Sequence, residues 1–370
     1  MPKYIHLLKE WPAFTWQHQK LVRPLSEVRH KQGRLLGKLE GLGFRLREEA
    51  SLETLTLDVI KSSEIEGEKL PMDQVRSSIA RRLEIAVAGL VRVDRNVEGV
   101  VEMMLDATQK YNQFLDDERL YGWHAALFPT GRSGMQRIKV GAWRDETSGP
   151  MQVVSGAMGK ERVHFEAPEA SRLTTEMQIF LEWFNHFNEV DSVVKAAIAH
   201  LWFVTIHPFN DGNGRIARAI ADMQLSRSDD SKQRFYSMSA QIQKERNGYY
   251  DCLEKTQQGT LDITQWLLWF IDCLDHALST SEENFLDVLN KATFWKKHQT
   301  VAFNERQRMM LNKMMDGFEG KLTSSKWAKI AKCSPDTALR DIQSLIDLDI
   351  LEKETGGGRS TSYSIVKSAH

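Results

Sequence analysis

The sequence predicts a mainly α-helical protein: a helical bundle with one β-hairpin, a helical N-terminal domain and a C-terminal winged helix. Three observations carry this fold class. Apolar residues recur at helical spacing through most of the chain. Residues 151–165 read as strand, glycine-containing turn, strand. The last stretch, from about 301, reads as three helices, then strand, glycine-rich tip and strand, the layout of a winged helix-turn-helix. There is no strand–helix alternation of the kind that builds a parallel sheet, and no internal repeat.

Taken in order, residues 1–85 carry Trp11, Phe14 and Trp16 and then a basic helical stretch that closes near KSSEIEGEKL. Residues 95–282 form the central helical body. VEGVVEMMLDATQKY is its first amphipathic helix. The hairpin follows: MQVV, the turn SGAMGKE, then RVHF. In SRLTTEMQIFLEWF, Leu173, Met177, Phe180, Leu181 and Phe184 share one helix face. SVVKAAIAHLWFVTI is a predominantly apolar helix, IARAIADMQL a second, and LDITQWLLWFIDCL a third with Trp266, Phe270 and Cys273 on one side. From 283 the charged helix SEENFLDVLNKATFWKKHQ leads into the C-terminal unit. There NERQRMMLNKMMDGF, SSKWAKIAKC and SPDTALRDIQSLIDLDIL are helices, the last opened by Ser334 as N-cap and Pro335 at the first helical position.

Composition removes several classes of function. Lysine plus arginine total 49 against 50 acidic residues, so no global field recruits nucleic acid or an anionic membrane. Sixteen Phe, ten Trp and seven Tyr supply packed cores, which excludes low-complexity disorder. Three cysteines, none in a CxxC pair, argue against a disulfide framework or structural zinc. No apolar run reaches the roughly 20 residues a spanning helix needs, and the opening residues lack an apolar signal core. The expectation is a cytoplasmic protein with no membrane partner. The P-loop pattern GxxxxGK[ST] and the zinc pattern HExxH are both absent.

Residues 207–218, HPFNDGNGRIAR, interrupt two apolar helices with a short loop of Asn210, Asp211, Gly212, Asn213 and Gly214. Glycine and asparagine tolerate positive φ, so successive backbone N–H groups can face one concavity; at a helix N-terminus that concavity is an anion site. Arg215 and Arg218, at i and i+3, bracket further phosphate oxygens with fork geometry. Asp211 suits a Mg²⁺ ion bridging phosphates, because a hard cation takes carboxylate oxygen. His207 at the mouth has the intrinsic basicity of a general base. Any one of these residues is ordinary; their convergence within twelve positions is not.

The stretch matches every specified position of HPFxDGNGRxxR and so resembles the signature of Fic-domain proteins. Nine specified positions at average usage coincide by chance at about 10⁻¹² per window. The resemblance implies a helical bundle with a β-hairpin flap, and transfer of AMP from ATP to a Ser, Thr or Tyr hydroxyl of a target protein. On that footing His207 deprotonates the hydroxyl, Asp211 holds Mg²⁺, and Gly212, Asn213 and Gly214 cradle the phosphates. Arg215 holds the β-phosphate and Arg218 reaches the γ-phosphate. Val153, Val154, Ser155, Gly156 and Ala157 resemble the target-docking flap, which pairs with an extended segment by strand addition. Gly141-Ala142-Trp143-Arg144 resembles the family's G-x-aromatic-R. Tyr249 and Tyr250 resemble a tyrosine pair that lines the adenosine, and Gln257 lies where relatives have an Asn on the base.

Ser62, Glu66 and Gly67 form the pattern SxxxEG. Ser62 and Glu66 lie on one helix face, and Gly67 is a natural helix stop. The pattern resembles the Fic inhibitory motif, in the class that carries it on an N-terminal helix. The resemblance implies that Glu66 pairs with Arg218, takes the γ-phosphate position and leaves weak basal activity. The same glutamate positions water for AMP removal in one reading of the relatives. The N-terminal residues resemble a domain found ahead of some bacterial Fic cores. Partners implied are ATP, a protein target bearing a hydroxyl, and the chain itself, through self-AMPylation or pairing as a homodimer.

Residues 301–370 hold 11 basic and 9 acidic residues. Their third helix offers Thr337, Arg340 and Gln343 but sets Asp336 and Asp341 against phosphates, and Arg359 follows the glycines of the wing. That balance favours protein docking over DNA binding. The alternatives to AMP transfer are a winged-helix DNA-binding regulator whose Fic body senses nucleotide, a Fic enzyme using another nucleotide, and a de-AMPylase.

Overall fold

The computed structural model describes residues 3–40, 43–87, 89–156, 160, 162–187, 189–315, 318, 320–354 and 361–366. The chain folds as two compact units, Met1–Glu282 and Glu283–His370.

The first unit is mainly helical, and its described residues between α-helices include two small antiparallel hairpins. Its elements are α1 (His18–Glu40), α2 (Phe44–Ile65), α3 (Met72–Arg82), α4 (Arg95–Gln109) and α5 (Asp117–Leu127). The strands β1 (Arg132–Ser133), β2 (Gln136–Arg137), β3 (Gln152–Ser155) and β4 (Arg162–Glu166) come next. Then follow α6 (Leu173–His186), α7 (Ser192–Ile206), α8 (Asn213–Asp229), α9 (Met238–Lys244), α10 (Arg246–Gln257) and α11 (Thr264–Lys297), of which the residues up to Glu282 belong to this unit. The expected hairpin is β3–β4, with Val153 opposite Phe165 and a register shift between Val153 and Val154. The pair β1–β2 is too short, two residues a side, to leave a sequence signal.

The antiparallel pair α7 and α8 is the centre. Asp191 caps α7 by accepting from Val193 N at 2.8 Å and Val194 N at 3.4 Å, and every residue from Val193 to Ile206 is buried. A helix covered all round in this way belongs at the middle of a bundle. Each of Leu201, Phe203 and Ile206, fully buried, contributes about 1.5–3 kcal/mol. α4 and α5 pack on α8 and α6 on α7, while Tyr249 of α10 meets His200 of α7 and Trp266 of α11 donates to Ala197 O of α7.

The stretch read as a separate N-terminal domain falls in the same compact unit as residues 95–282. Trp11 and Phe14 pack edge-on against Trp202 of α7, and Trp11 Nε1 donates to Glu176 Oε2 at 2.8 Å. Thr15 pairs with Asp262 in a parallel bridge. Asp58, on α2, accepts from Ser237 Oγ and from Ser239 N at 3.2 Å at the start of α9. Side chains far apart in sequence thus hold α2 against the central bundle.

The second unit contains α12 (Glu305–Met315), α13 (Ser324–Ile330), α14 (Pro335–Asp347), β5 (Leu351–Lys353) and β6 (Tyr363–Ile365). Its core is Met310, Leu311, Leu322, Trp327, Ala338, Ile342, Leu345, Ile350, Leu351 and Tyr363. β5 and β6 are antiparallel, and an isolated bridge joins Leu322 to Tyr363. Ser334 caps α14, accepting from Thr337 N at 3.2 Å, with Pro335 behind it. Arg359 and the three glycines before it, read in the sequence as a wing tip, lie outside the described residues. One expectation is corrected here. Asp341 does not face outward: it is buried and takes Arg306 Nε at 2.7 Å and Asn304 Nδ2 at 2.8 Å. Period-3.6 reasoning places it beside the apolar face of α14, and the ion pair with Arg306 turns it inward.

Among the described residues, no helix is long and apolar enough to cross a membrane.

Candidate active site

The α7–α8 junction is built by two left-handed residues. His207 ends α7 with φ 52° and ψ 57°, and Gly212 opens α8 with φ 80°. A Cβ at Gly212 would lie 2.9 Å from Phe128 Cε2 and 3.2 Å from Leu127 Cδ1, so both backbone angle and space demand glycine. Asn213 and Gly214 are not loop residues, as the sequence suggested, but the first turn of α8. The Asn213 amide explains the early start. Its Oδ1 accepts from Phe209 N at 3.0 Å and its Nδ2 donates to Phe209 O at 2.8 Å, so one buried side chain satisfies both backbone groups across the turn.

His207 is held from both sides. Its backbone carbonyl accepts from Arg144 Nε at 2.9 Å, and Arg144 N donates to Pro208 O at 2.9 Å. Arg144 is the arginine of the Gly141–Arg144 segment, and Trp143 beside it packs on Phe209 with ring centroids 4.9 Å apart. His207 Nδ1 lies 3.2 Å from Val204 O; assigning the proton there leaves Nε2 as a free lone pair. Burial, with a smaller push from Arg144, lowers the imidazole pKa to about 4. The ring is therefore neutral and able to accept a proton at pH 7.

Both motif arginines are buried and both are occupied by carboxylates. Arg218 Nη2 donates to Glu66 Oε1 at 2.7 Å and to Ser62 O at 2.8 Å, and its Nε donates to Ser62 Oγ at 2.9 Å. Arg215 Nη1 donates to Glu68 Oε2 at 2.8 Å. α2 ends at Ile65, Glu66 is its C-cap, and Gly67 turns the chain with φ 84°. Glu66 and Glu68 thus flank the turn and reach successive arginines of α8. Glu68 was not singled out in the sequence; an alternating E-G-E after a helix stop was the available signal. A Cβ at Gly214 would lie 2.2 Å from Glu66 Oε1. The anion at the N-terminus of α8 in this structure is therefore the protein's own carboxylate. Arg218 Nη1 and Arg215 Nε are buried without a hydrogen-bond partner, so each fork retains donor capacity.

A cavity of about 550 Å³ opens beside these groups. Glu66, His207 and Gly214 line one side, Val153, Val154 and Ser155 of the flap another, and α10 closes it with Tyr249, Tyr250 and Gln257. The two tyrosines differ. Tyr249 is buried, sits 3.0 Å from His200 Nε2 through its hydroxyl, and burial raises its pKa. Tyr250 is 37% exposed and carries Arg246 over its ring at 5.5 Å. Gln257 is buried and donates to Thr205 Oγ1 at 3.2 Å. Gly156 follows the flap strand; Ala157 lies outside the described residues.

Asp211 lies apart from that lining. Its Oδ1 accepts from Gly212 N at 2.6 Å and its Oδ2 contacts Ser133 Oγ of β1, a partner that sequence patterning did not reveal. Among the described residues, no cluster of three or more His, Cys, Asp or Glu is placed to hold a metal. The donor set fits a Mg²⁺ ion only in the mode where one carboxylate serves and substrate phosphates supply further oxygens.

Fold and site together define a helical bundle in which a neutral histidine, a helix N-terminus and two buried arginines meet under a hairpin. Residues 114–225 match the Fic/DOC family, so the chain carries a Fic/DOC domain. Residues 4–85 match a domain of unknown function, DUF4172. The chain is 34% identical over 113 residues to the protein adenylyltransferase Fic of Drosophila yakuba, which is 30% of this chain and 21% of the fly protein. It is 24% identical over 218 residues to the protein of that name from Drosophila willistoni, 58% and 33% of the two chains. The match to the first thus spans about a fifth of that relative's length. Among solved structures, a Fic family protein from Desulfovibrio desulfuricans G20 is similar at a TM-score of 0.49 and 19% identity, covering 94% of this chain and 97% of that one. Fic-1 (residues 134–508) from C. elegans is similar at a TM-score of 0.48 and 18% identity, covering 72% and 74%.

Proposed function

We propose that this chain is an autoinhibited protein adenylyltransferase that transfers AMP from ATP to a Ser, Thr or Tyr hydroxyl of a target protein. The observation that carries the reading is the Glu66 carboxylate seated at the N-terminus of α8 on Arg218. It marks an anion site beside a neutral histidine, inside a cavity of nucleotide size.

His207 Nε2 takes the proton of the incoming hydroxyl, which raises its nucleophilicity toward the α-phosphorus. The backbone N–H groups at the start of α8 and the forks of Arg215 and Arg218 bind the β- and γ-phosphates and hold the leaving pyrophosphate in line. Arg144 fixes the base by its carbonyl, and Tyr250 and Gln257 bound the space for the adenosine. Asp211 would hold Mg²⁺ together with the phosphates, and the ion supplies neutralisation of phosphate charge. Exposed Val154 on β3 and the free edge of that strand suit pairing with an extended target segment.

The same contacts keep the intact chain slow. Glu66 and Glu68 occupy the two arginines that the phosphates need, so ATP must displace two carboxylates before it binds productively. The C-terminal unit fits a winged-helix docking module: burial of Asp341 leaves Arg340 and Gln343 exposed on α14 without adding a basic face.

The test is transfer of label from ATP carrying a tagged α-phosphate to proteins of a cell lysate, with and without Mg²⁺. Glu66→Gly labels lysate proteins strongly, the wild type weakly, and Glu66→Gly with His207→Ala not at all. Absence of AMP transfer from every folded variant overturns the reading.

A further inference from the structure

The flap carries a hydrogen-bonded chain of side chains that the phosphate loop does not need. Ser155 closes β3 opposite Arg162, which sets its side chain diagonally across from His164 on β4. Ser155 Oγ lies 2.5 Å from His164 Nε2, and His164 Nδ1 lies 2.7 Å from Glu254 Oε2 on α10. Arg162 Nη2 donates to the other carboxylate oxygen of Glu254 at 2.8 Å, and Gln258 Nε2 donates to the His164 carbonyl at 2.8 Å. An ionised Glu254 only accepts, so it takes the Nδ1 proton of His164 and leaves Nε2 as a lone pair directed at the Ser155 hydroxyl. A hydroxyl, a base within reach and a third group orienting the base are the three parts of an activated nucleophile.

Placement supports reactivity over a tie between strands. Packing β4 on α10 needs only the His164–Glu254 and Arg162–Glu254 contacts; the Ser155 hydroxyl adds nothing to them, and Ser155 is exposed. Ser155, His164 and Glu254 line the same cavity as His207 and Gly214.

We propose that Ser155 is itself an AMP acceptor, activated by His164 rather than by His207. The proposal rests on the adenylyltransferase reading for its donor, Mg²⁺-ATP. Ser155 Oγ attacks the α-phosphorus, and the Oγ–P bond forms as the bond from that phosphorus to the oxygen bridging to the β-phosphate breaks. Pyrophosphate leaves with the electron pair, and the hydroxyl proton passes to His164 Nε2 and then to solvent. The product is a serine-linked AMP on the exposed edge of β3, the edge on which a target segment would pair. Self-modification there blocks docking and limits transfer in trans.

The experiment is incubation with Mg²⁺-ATP followed by peptide mapping by mass spectrometry. It uses the full chain as Glu66→Gly and as Glu66→Gly with His207→Ala. Both gain one AMP on Ser155, while labelling of lysate proteins is lost only in the second. Ser155→Ala abolishes the adduct, and His164→Gln slows its formation by at least about 100-fold, the lower end of what a positioned base supplies. Glu254 is a positioning residue: Glu254→Gln slows the adduct and Glu254→Asp, which keeps the carboxylate, restores part of the rate. An AMP that maps elsewhere on the chain, a Ser155 adduct that requires His207, or a rate unchanged in His164→Gln overturns the proposal. AMP transfer to lysate proteins without any Ser155 adduct overturns it while leaving the adenylyltransferase reading intact. Transfer to nothing at all overturns both.

Discussion

Replacing Glu66 with glutamine removes one charge from the pair that occupies the proposed phosphate site and leaves the shape nearly unchanged. The pair is intermediate in burial: the Arg218 side chain is 2% exposed and that of Glu66 33%. Exposed pairs contribute less than about 1 kcal/mol, and breaking a fully buried one costs about 3–5 kcal/mol. A value of about 2 kcal/mol fits the geometry between those limits. In the free protein this energy opposes ATP, whose γ-phosphate has to displace the carboxylate, so removing it tightens ATP about 30-fold. AMP lacks the outer phosphates and gains nothing. The measurement is calorimetric titration of ATP and AMP, with Mg²⁺, in a His207→Ala background that prevents turnover. Glu66→Gln also melts at lower temperature without nucleotide, because buried Arg218 then faces a neutral amide in place of a carboxylate and loses the charge-assisted part of that bond. Equal ATP affinity with and without the Glu66 charge refutes the competition argument, and so does an equal gain for AMP.

Glu68→Gln frees Arg215, and because that carboxylate is more exposed the gain is smaller, about 1 kcal/mol or fivefold; titration shows it for ADP and ATP and not for AMP. The pH dependence of transfer follows from the lowered His207 pKa: kcat/KM of the Glu66→Gly protein stays level from pH 8 down to about 5 and falls only as pH approaches 4. A histidine with its ordinary pKa would lose rate from about 6.5 downward. Buried His124 and His200, with pKa values lowered to about 4 and about 3 by burial, act on stability instead. The unfolded chain takes up their protons below about pH 6.5 and the folded chain does not, so the unfolding free energy from urea titration drops as pH falls from there toward 4, by about 1.4 kcal/mol per pH unit for each ring. Asn213→Ala strands both backbone groups of Phe209, costs about 2–4 kcal/mol, and lowers the melting temperature with an unchanged secondary-structure spectrum.

The candidate site was largely legible in the sequence because most of its residues sit in one local segment. His207, Asp211, Gly212 and the two arginines lie within twelve residues, and an apolar helix on either side sets the backbone that carries them. Helices with clean periodicity, such as Leu173–His186 and Ser192–Ile206, were legible for the same reason. Asn213 was misplaced because loop chemistry and helix N-capping use the same residue types, and only its double bond to Phe209 decides between them. The status of Tyr249 and Tyr250 was beyond local reasoning: both border the cavity, but Tyr249 is buried against His200 while Tyr250 is partly exposed beneath Arg246.

Sequence alone determined what is local: the helical class, the left-handed glycine that opens α8, and the glutamate one helical turn after Ser62. Tertiary structure decided which distant groups share a volume. Asp58 of α2 with Ser237 and Ser239, Ser62 and Glu66 with Arg218, Glu68 with Arg215, and Glu254 with His164 are pairs separated by scores of residues. Such a pairing depends on the packing that carries α2 to α8 and α10 to β4, and no short-range pattern records it. A side chain's spacing fixes the face it occupies; only the fold fixes what that face meets.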